Sequence, residues 1–341
     1  MRGQDSEKHS RWRFCSVLLV CFLSVLPTAC NRVSSDASPA TPSGEAANLA
    51  WPRTVTGAHG AVMIQNPPHR IVSTSVTLTG TLLAIDAPVV ASGASQPRST
   101  VTDKQGFFTQ WSEVAKARGV QPLYQGEPNA ETIMAANPDL ILVSATGGDS
   151  AFKLYEQIRQ IAPTLIVNYD DKSWQELARL LGWATGRETE AETVIQRFAK
   201  QITETRYRLR LPPQPTTAMV YYEDGSGANV WTADSAQGQL LIELGFELAQ
   251  VPDSVKGNTS MGQRRDIIQI SGERFAEGLL GQTLLLFSAD EQSVQRVKNN
   301  RFLAQSPAIR NDRVYAMGLN TFRLDYYSST HLLQRLSQLF Q

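Results

Sequence analysis

The chain has 341 residues, of which 42% are hydrophobic and 19% charged, enough for two packed cores because single cores stop growing at around 250–300 residues. That composition excludes a disordered or fibrous protein, and the negative mean hydropathy excludes a polytopic membrane protein. Lys+Arg and Asp+Glu both number 32, which removes any overall basic bias toward nucleic acid and leaves a charged partner to be met by a local patch.

The N-terminus reads as an export signal. Arg2, Lys8, Arg11 and Arg13 precede an apolar run from Phe14 to Leu26, which is followed by Pro27-Thr28-Ala29-Cys30; a charged start, a short apolar stretch and small residues before a cut describe a secretory signal. The run is shorter than the roughly 20 residues that span a bilayer. Leu26 to Cys30 resembles a bacterial lipoprotein signal, in which the cysteine is acylated after cleavage, except that Pro27 stands where an aliphatic residue is usual. The other reading is ordinary cleavage near residue 30 or 50. Residues 31–50 are rich in Ser, Ala, Pro and Gly and read as a flexible tether. Without residues 1–30 the chain carries 28 basic and 30 acidic side chains. Cys15, Cys21 and Cys30 are its only cysteines, so the body has no disulfide framework and no thiolate chemistry.

The body predicts α/β architecture. Strand-like runs at Arg70–Ser73, Val89–Gly93, Asp139–Ser144 and Leu165–Tyr169 are bounded by Pro and Gly, as suits buried parallel strands. Helical patterns at Thr77–Ile85, Ala130–Ala136, Ala151–Ile161 and Ser173–Leu181 alternate with them. From Thr189 to about Leu209 no Gly or Pro interrupts a helical stretch that would span roughly 30 Å, until Pro212-Pro213 stops it. The second half repeats the alternation: strands at Thr217–Tyr222, Asp266–Ile270, Thr283–Ser288 and Arg313–Met317, helices at Gln237–Leu244 and Tyr326–Phe340. The predicted organisation is a signal over 1–30, a tether over 31–50, an N-terminal lobe over 51–188, a connecting helix over 189–211 and a C-terminal lobe over 212–341. Two α/β lobes joined by one long helix leave a cleft between them as the expected ligand site.

Catalytic and metal motifs are sparse. His9 belongs to the signal, and His59, His69 and His331 lack the close spacing of zinc sites. Gly147-Gly148-Asp149-Ser150 has two readings, a phosphate cradle or a tight turn with Asp149 or Ser150 capping the following helix; the turn is preferred, and Gly225-Ser226-Gly227 is a weaker cradle still. Tyr221-Tyr222, Trp231, Arg264-Arg265, Phe322-Arg323 and Tyr326-Tyr327 bring rings and guanidinium groups to loops and strand ends, which would suit an anionic aromatic ligand. The competing readings are a core position for Trp231, an Arg323–Asp325 ion pair, and a solvated face for Arg264-Arg265.

Several strings carry a family resemblance: Trp51-Pro52-Arg53, Arg70 to Gly80, Leu82 to Pro88, Ser144 to Ser150, Asn168 to Trp174 and Thr321 to Ser328. From Trp51 onward the chain resembles the ferric enterobactin-binding periplasmic proteins, substrate-binding components of iron–siderophore ABC importers in the helical-backbone family of periplasmic binding proteins. The tether at 31–50 departs from the soluble members and agrees with a lipid anchor on Cys30. The resemblance places the family's pocket on Trp231 in Asn229-Val230-Trp231-Thr232, on Arg264 ahead of Asp266-Ile267-Ile268, and on Arg323 in Thr321-Phe322-Arg323-Leu324-Asp325. In the first lobe Thr100 occupies the place of the family's arginine, and Arg98 substitutes from the same loop. Glu131 and Glu273 match the acidic residues that dock related proteins on arginines of the permease, or are solvated carboxylates at helix starts.

The resemblance implies a monomeric, exported, non-enzymatic protein with no intrinsic cofactor and no metal ligands of its own. It would capture a ferric catecholate siderophore and hand it to an inner-membrane ABC permease. A ferric tris-catecholate has its iron positions filled and carries three negative charges, so it needs cationic donors and ring faces from the protein. The alternatives are another iron chelate, haem or cobalamin on the same scaffold; a periplasmic siderophore esterase, which would need a nucleophile paired with a base; or an interaction-only scaffold.

Overall fold

The computed structural model describes residues 50–222, 224–256, 265–272 and 274–341. The signal, almost all of the tether, Cys30, Arg264 and Glu273 lie outside the described residues.

The first lobe opens with a hairpin that sequence reading missed, β1 (Arg53–Gly57) and β2 (Gly60–Ile64), paired antiparallel. Val55 and Ile64 turn inward while their neighbours face out. The hairpin leans on the adjacent sheet, where the Ala58 N–H donates to the Ile166 carbonyl at 2.7 Å. Arg53 is 4% exposed, sandwiched between the Trp51 and Trp183 rings at 4.4 Å each, and it pairs with Glu188. Its Nη1 also donates to the Trp183 carbonyl at 2.8 Å. The guanidinium thereby ties the first strand to the start of the long helix.

Five parallel strands follow: β3 (Ile71–Ser73), β4 (Val89–Ala94), β5 (Gln121–Gln125), β6 (Leu140–Ser144) and β7 (Thr164–Val167), in the order β5-β4-β3-β6-β7. Helices α1 (Val76–Ala84), α2 (Ser112–Ala117), α3 (Ala130–Ala135) and α4 (Tyr155–Ile158) lie between them. The helix predicted over Ala151–Ile161 is shorter, a 3₁₀ turn at Phe152–Leu154 leading into α4. Because the chain leaves β3 in both directions, the crevice at the carboxyl ends of β3 and its neighbours is the natural ligand position in such a sheet.

Helix α5 (Trp174–Thr185) starts in a capping box between Ser173 and Glu176 and ends at Gly186, whose φ of 71° suits a residue without Cβ. Next, α6 (Glu188–Arg208) runs 21 residues, about 30 Å, with Glu188 and Glu190 in its first turn and Arg206 and Arg208 in its last, both matched to the helix dipole. Its inward stripe is narrow, with Ala191, Val194 and Phe198 buried.

The second lobe holds β8 (Thr216–Tyr221), β9 (Gly227–Trp231), β10 (Ile267–Ser271), β11 (Thr283–Leu286) and β12 (Val314–Ala316) in the order β10-β9-β8-β11-β12. Its helices are α7 (Ala236–Glu243), α8 (Glu291–Asn299), α9 (Pro307–Arg310) and α10 (Tyr326–Phe340). Strand–helix alternation holds for β8, β11 and β12, which are parallel. It fails at β8-β9-β10, which are antiparallel. The connection from Tyr221 to Gly227 is far too short for a crossover helix, so the chain must turn back as a hairpin. Gly225-Ser226 belongs to that turn, with Gly225 at φ 73°, and Gly227 opens β9.

One apolar core is continuous across both lobes. It joins Leu78 and Leu82 of α1, Trp174 and Leu177 of α5, Phe198 of α6, Trp231 of β9 and Leu332 and Leu336 of α10. Separate clusters cover the outer face of each sheet, around Ile141 and Val143 in the first lobe and Leu284 and Leu286 in the second. The fit between lobes is close at Gly80, where a Cβ would stand 2.6 Å from Asp325 Oδ2 and 2.9 Å from the Trp111 ring. Gly80→Ala should therefore destabilise the fold by about 1–3 kcal/mol and lower Tm by roughly 5 °C in calorimetry. Gly148→Ala, where a Cβ meets nothing within 4 Å, should leave Tm in place; equal Tm values for the two variants would contradict this account of the seam.

Candidate functional site: the interlobe cleft

The first-lobe wall is built on the ends of β3, β6 and β7. Ser75 caps α1 by accepting from the Leu78 N–H at 3.3 Å. Asp149, on the loop after β6, reaches across: its Oδ2 accepts from Ser75 Oγ and from the Thr77 N–H at 3.0 Å, and its Oδ1 accepts from the Tyr169 hydroxyl at 3.0 Å. This corrects the expectation that Asp149 caps the helix after it. The turn forms, but its aspartate serves the neighbouring α1, and that helix N-terminus is already satisfied by a carboxylate rather than open to a phosphate. Ser150 does act locally, its Oγ accepting from the Phe152 N–H at 3.2 Å. Gly147 is required here, since a Cβ would lie 1.9 Å from the Tyr169 oxygen. Burial, reinforced by the Asp149 charge, pushes the Tyr169 hydroxyl up to about 12, so it remains a proton donor.

The second-lobe wall is the end of β9 and the segment before α10. Trp231 is 5% exposed and packs on Phe287 and Phe322, with ring centroids 6.5 and 5.7 Å away. Its indole N–H is buried with no partner among the described residues. Gln237 Nε2 donates to the Thr321 and Phe322 carbonyls at 3.1 and 2.6 Å and holds the Phe322-Arg323 segment. Asp325 then caps α10, accepting from the Ser328 N–H at 2.7 Å. Arg323 does not pair with Asp325, as one sequence reading had it. It crosses the cleft, Nη1 donating to Asp170 Oδ1 at 2.8 Å, with the guanidinium 4.5 Å from the Tyr169 ring centroid. Two further bonds cross the lobes, Asn320 Nδ2 to Thr109 Oγ1 at 2.6 Å and Gln110 Nε2 to Asp325 Oδ2 at 3.4 Å.

Two adjoining cavities of about 420 and 470 Å³ occupy this cleft, within the range of small-molecule sites. Thr77, Phe108, Tyr169, Phe322 and Arg323 border both. The first is the more polar, with Trp231, Lys172 and Asp266 in its wall, while Val76, Val101 and Leu319 give the second an apolar side. Lys172, in the first wall, pairs with Asp171 at 2.5 Å; Arg265, 89% exposed and in neither wall, pairs with Asp234 at 3.1 Å.

The fold thus brings together Trp231 and Arg323 of the expected pocket. Arg98 is exposed on the loop after β4, at φ 57°, and borders neither cavity. Glu131 is exposed in the first turn of α3, whose cap is Asn129. The other aromatic pairs go elsewhere: Tyr221 accepts from Asn300, Tyr222 donates to Asn229, and Tyr326 packs on Trp174 and Phe198 in the shared core. Tyr169, Asp170 and Phe108 were missed as site residues. Their only signal was the family-like string Asn168 to Trp174, which holds two of the three.

A sequence profile described as periplasmic binding protein matches residues 71–320. The chain belongs to that family. It is 54% identical over 290 residues, 85% of this chain and 91% of the relative, to the ferric enterobactin-binding periplasmic protein FepB of Escherichia coli O6:H1. It is 27% identical over 245 residues, 71% of this chain and 68% of the relative, to the probable siderophore-binding lipoprotein YfiY of Bacillus subtilis. The crystal structure of holo-ViuP superposes with a TM-score of 0.75 at 36% identity, covering 85% of this chain and 96% of that one. The protein is accordingly a binding protein, not an enzyme, built as two α/β lobes joined by one long helix.

Asp325 gives this seam a pH signature. Protein atoms pack around its carboxyl, and that burial lifts it above the usual carboxylate range despite the hydrogen bonds from Ser328 and Gln110. A raised folded pKa means stability that is complete below the unfolded value, about 4, and is lost as pH rises through the folded one. Asn caps helices as well as Asp and does not titrate. In urea melts the stability of Asp325→Asn relative to wild type should therefore improve from pH 4 to pH 7; a difference that stays constant with pH would show that the carboxylate is not penalised.

Proposed function

We propose that this protein captures a ferric catecholate siderophore of the enterobactin type in the interlobe cleft and delivers it to an inner-membrane ABC permease. The observation that carries the reading is the meeting of Trp231, Phe322 and Arg323 from one lobe with Tyr169 from the other around a single cleft, in a chain 54% identical to a ferric enterobactin-binding protein. Ring faces and a guanidinium are what a tris-catecholate trianion offers partners for. Trp231 and Arg323 act from the second lobe with Arg264, and Arg98 acts from the loop that begins beside Ser95, itself in the cavity wall. The iron stays wrapped in its own oxygen ligands, as cargo.

Glu131 and Glu273, one acidic residue per lobe, would dock on permease arginines. The chain works as a periplasmic monomer, held to a membrane by a lipid on Cys30 and the tether behind it. Among the described residues no helix is long and apolar enough to cross a membrane.

Tryptophan fluorescence titration with ferric enterobactin tests the pocket. Arg323→Ala and Trp231→Ala should each weaken binding about tenfold, the equivalent of about 1.4 kcal/mol and within the range of a partly desolvated cation–π or charge-assisted contact; unchanged affinity in both removes the assignment. Mass spectrometry of the mature protein should find a diacylglyceryl mass on Cys30, and an unmodified N-terminus at or beyond that residue would rule the anchor out.

A further inference from the structure

Among the described residues Arg323 is the arginine that borders both cavities, and the opposite lobe holds it in two ways. Its edge donates to Asp170 Oδ1 at 2.8 Å, and its face lies over Tyr169 at 4.5 Å. Asp170 is fixed in turn: Thr146 Oγ1 donates to its Oδ2 at 2.6 Å, and its own N–H donates to Asn168 Oδ1 at 3.1 Å. Tyr169 is fixed by its bond to Asp149. The two charged side chains remain 46% and 44% exposed, and both border the more polar cavity, so an anion entering there meets the guanidinium and the carboxylate together. Nearby Lys172 pairs with Asp171.

We propose that Asp170 is a positioning residue that sets how readily cargo is released: it offers Arg323 a second anionic partner within the cleft, to which the guanidinium returns as the cargo leaves. The idea rests on the catecholate reading above. An anion that takes the Arg323 fork must displace or share the Asp170 carboxylate, and a half-exposed ion pair of this kind contributes at most about a five-fold factor to an equilibrium. That is small enough to permit capture. In the reverse direction the waiting carboxylate replaces the lost contact as soon as the anion moves off, which lowers the barrier to departure. A transport protein needs this, since affinity it cannot give up would stop delivery.

The test is a double-mutant cycle on the whole protein, with equilibrium fluorescence and stopped-flow dissociation of ferric enterobactin from wild type, Asp170→Asn, Arg323→Ala and the double variant. Asp170→Asn should tighten Kd about five-fold, mainly through slower dissociation, and the gain should shrink below about two-fold when Arg323 is already absent. If Asp170→Asn binds no tighter than wild type, the proposal fails while the catecholate reading stands. An equal gain in both backgrounds also overturns it, because Asp170 would then act as a general repulsive charge and not through Arg323. A wild-type protein that does not bind ferric enterobactin overturns the catecholate reading and this proposal with it.

Discussion

The apolar core that passes without a break from α1 and α5 of the first lobe, under α6, to α10 of the second is the constraint on which the cleft depends. Protein interiors are packed as densely as organic crystals, so turning one lobe against the other would open this seam to water at about 25 cal/mol for each Å² of apolar surface exposed. Gly80 shows how closely the seam is cut, for a single added carbon would collide with a carboxylate from the other lobe. The connecting helix buries only a narrow stripe; it is the shared core, together with the helix, that holds the two walls at a fixed separation. Recognition in such a molecule falls to side chains already facing one another across the gap.

Among the described residues, carboxylates outnumber cations in those walls. The sequence suggested a pocket of arginines, whereas among the described residues the two cations in the cavity walls, Arg323 and Lys172, each have a carboxylate in contact. Unpaired cations in a partly desolvated cleft would repel one another and bind small anions of every kind; paired ones exchange partners at modest cost. Aromatic groups supply the rest of the lining, with Trp231 braced by Phe287 and Phe322, and Tyr169 braced by Asp149. Among the described residues, the cleft thus presents positioned ring faces and cations that already have anionic partners.

Legibility differed from element to element, for identifiable reasons. The parallel strands β3, β4, β6 and β7 were readable because both of their faces are buried, which leaves uninterrupted apolar runs such as Leu140 to Ser144. The long helix was readable because Gly and Pro are absent from it and crowd its end. The β1–β2 hairpin was not, because its strands are short, half-exposed and built around a buried arginine whose stabilising partners, Trp183 and Glu188, lie about 130 residues further on. The mixed second sheet was missed at β9, where Gly227-Ala228-Asn229-Val230-Trp231 is buried throughout yet weak in strand-forming residues. At the site, Trp231 and Arg323 stood out as a ring and a guanidinium at a strand end and a loop and again in family-like strings, while Tyr169 and Asp170 had no signal beyond the family-like string Asn168 to Trp174.

By itself the sequence determined the α/β class, the long helix between two lobes and the kinship with periplasmic binding proteins, because apolar periodicity, chain punctuation and extended shared strings are all properties of neighbouring residues. Only the tertiary structure decided which partner each polar group takes: Asp149 for α1, Asp170 for Arg323, Asp325 for the seam beside Gly80. The strength of a charge or hydrogen bond depends on distance and burial. Both are set by residues brought together from 72 to 245 positions apart along the chain, and no local pattern records them.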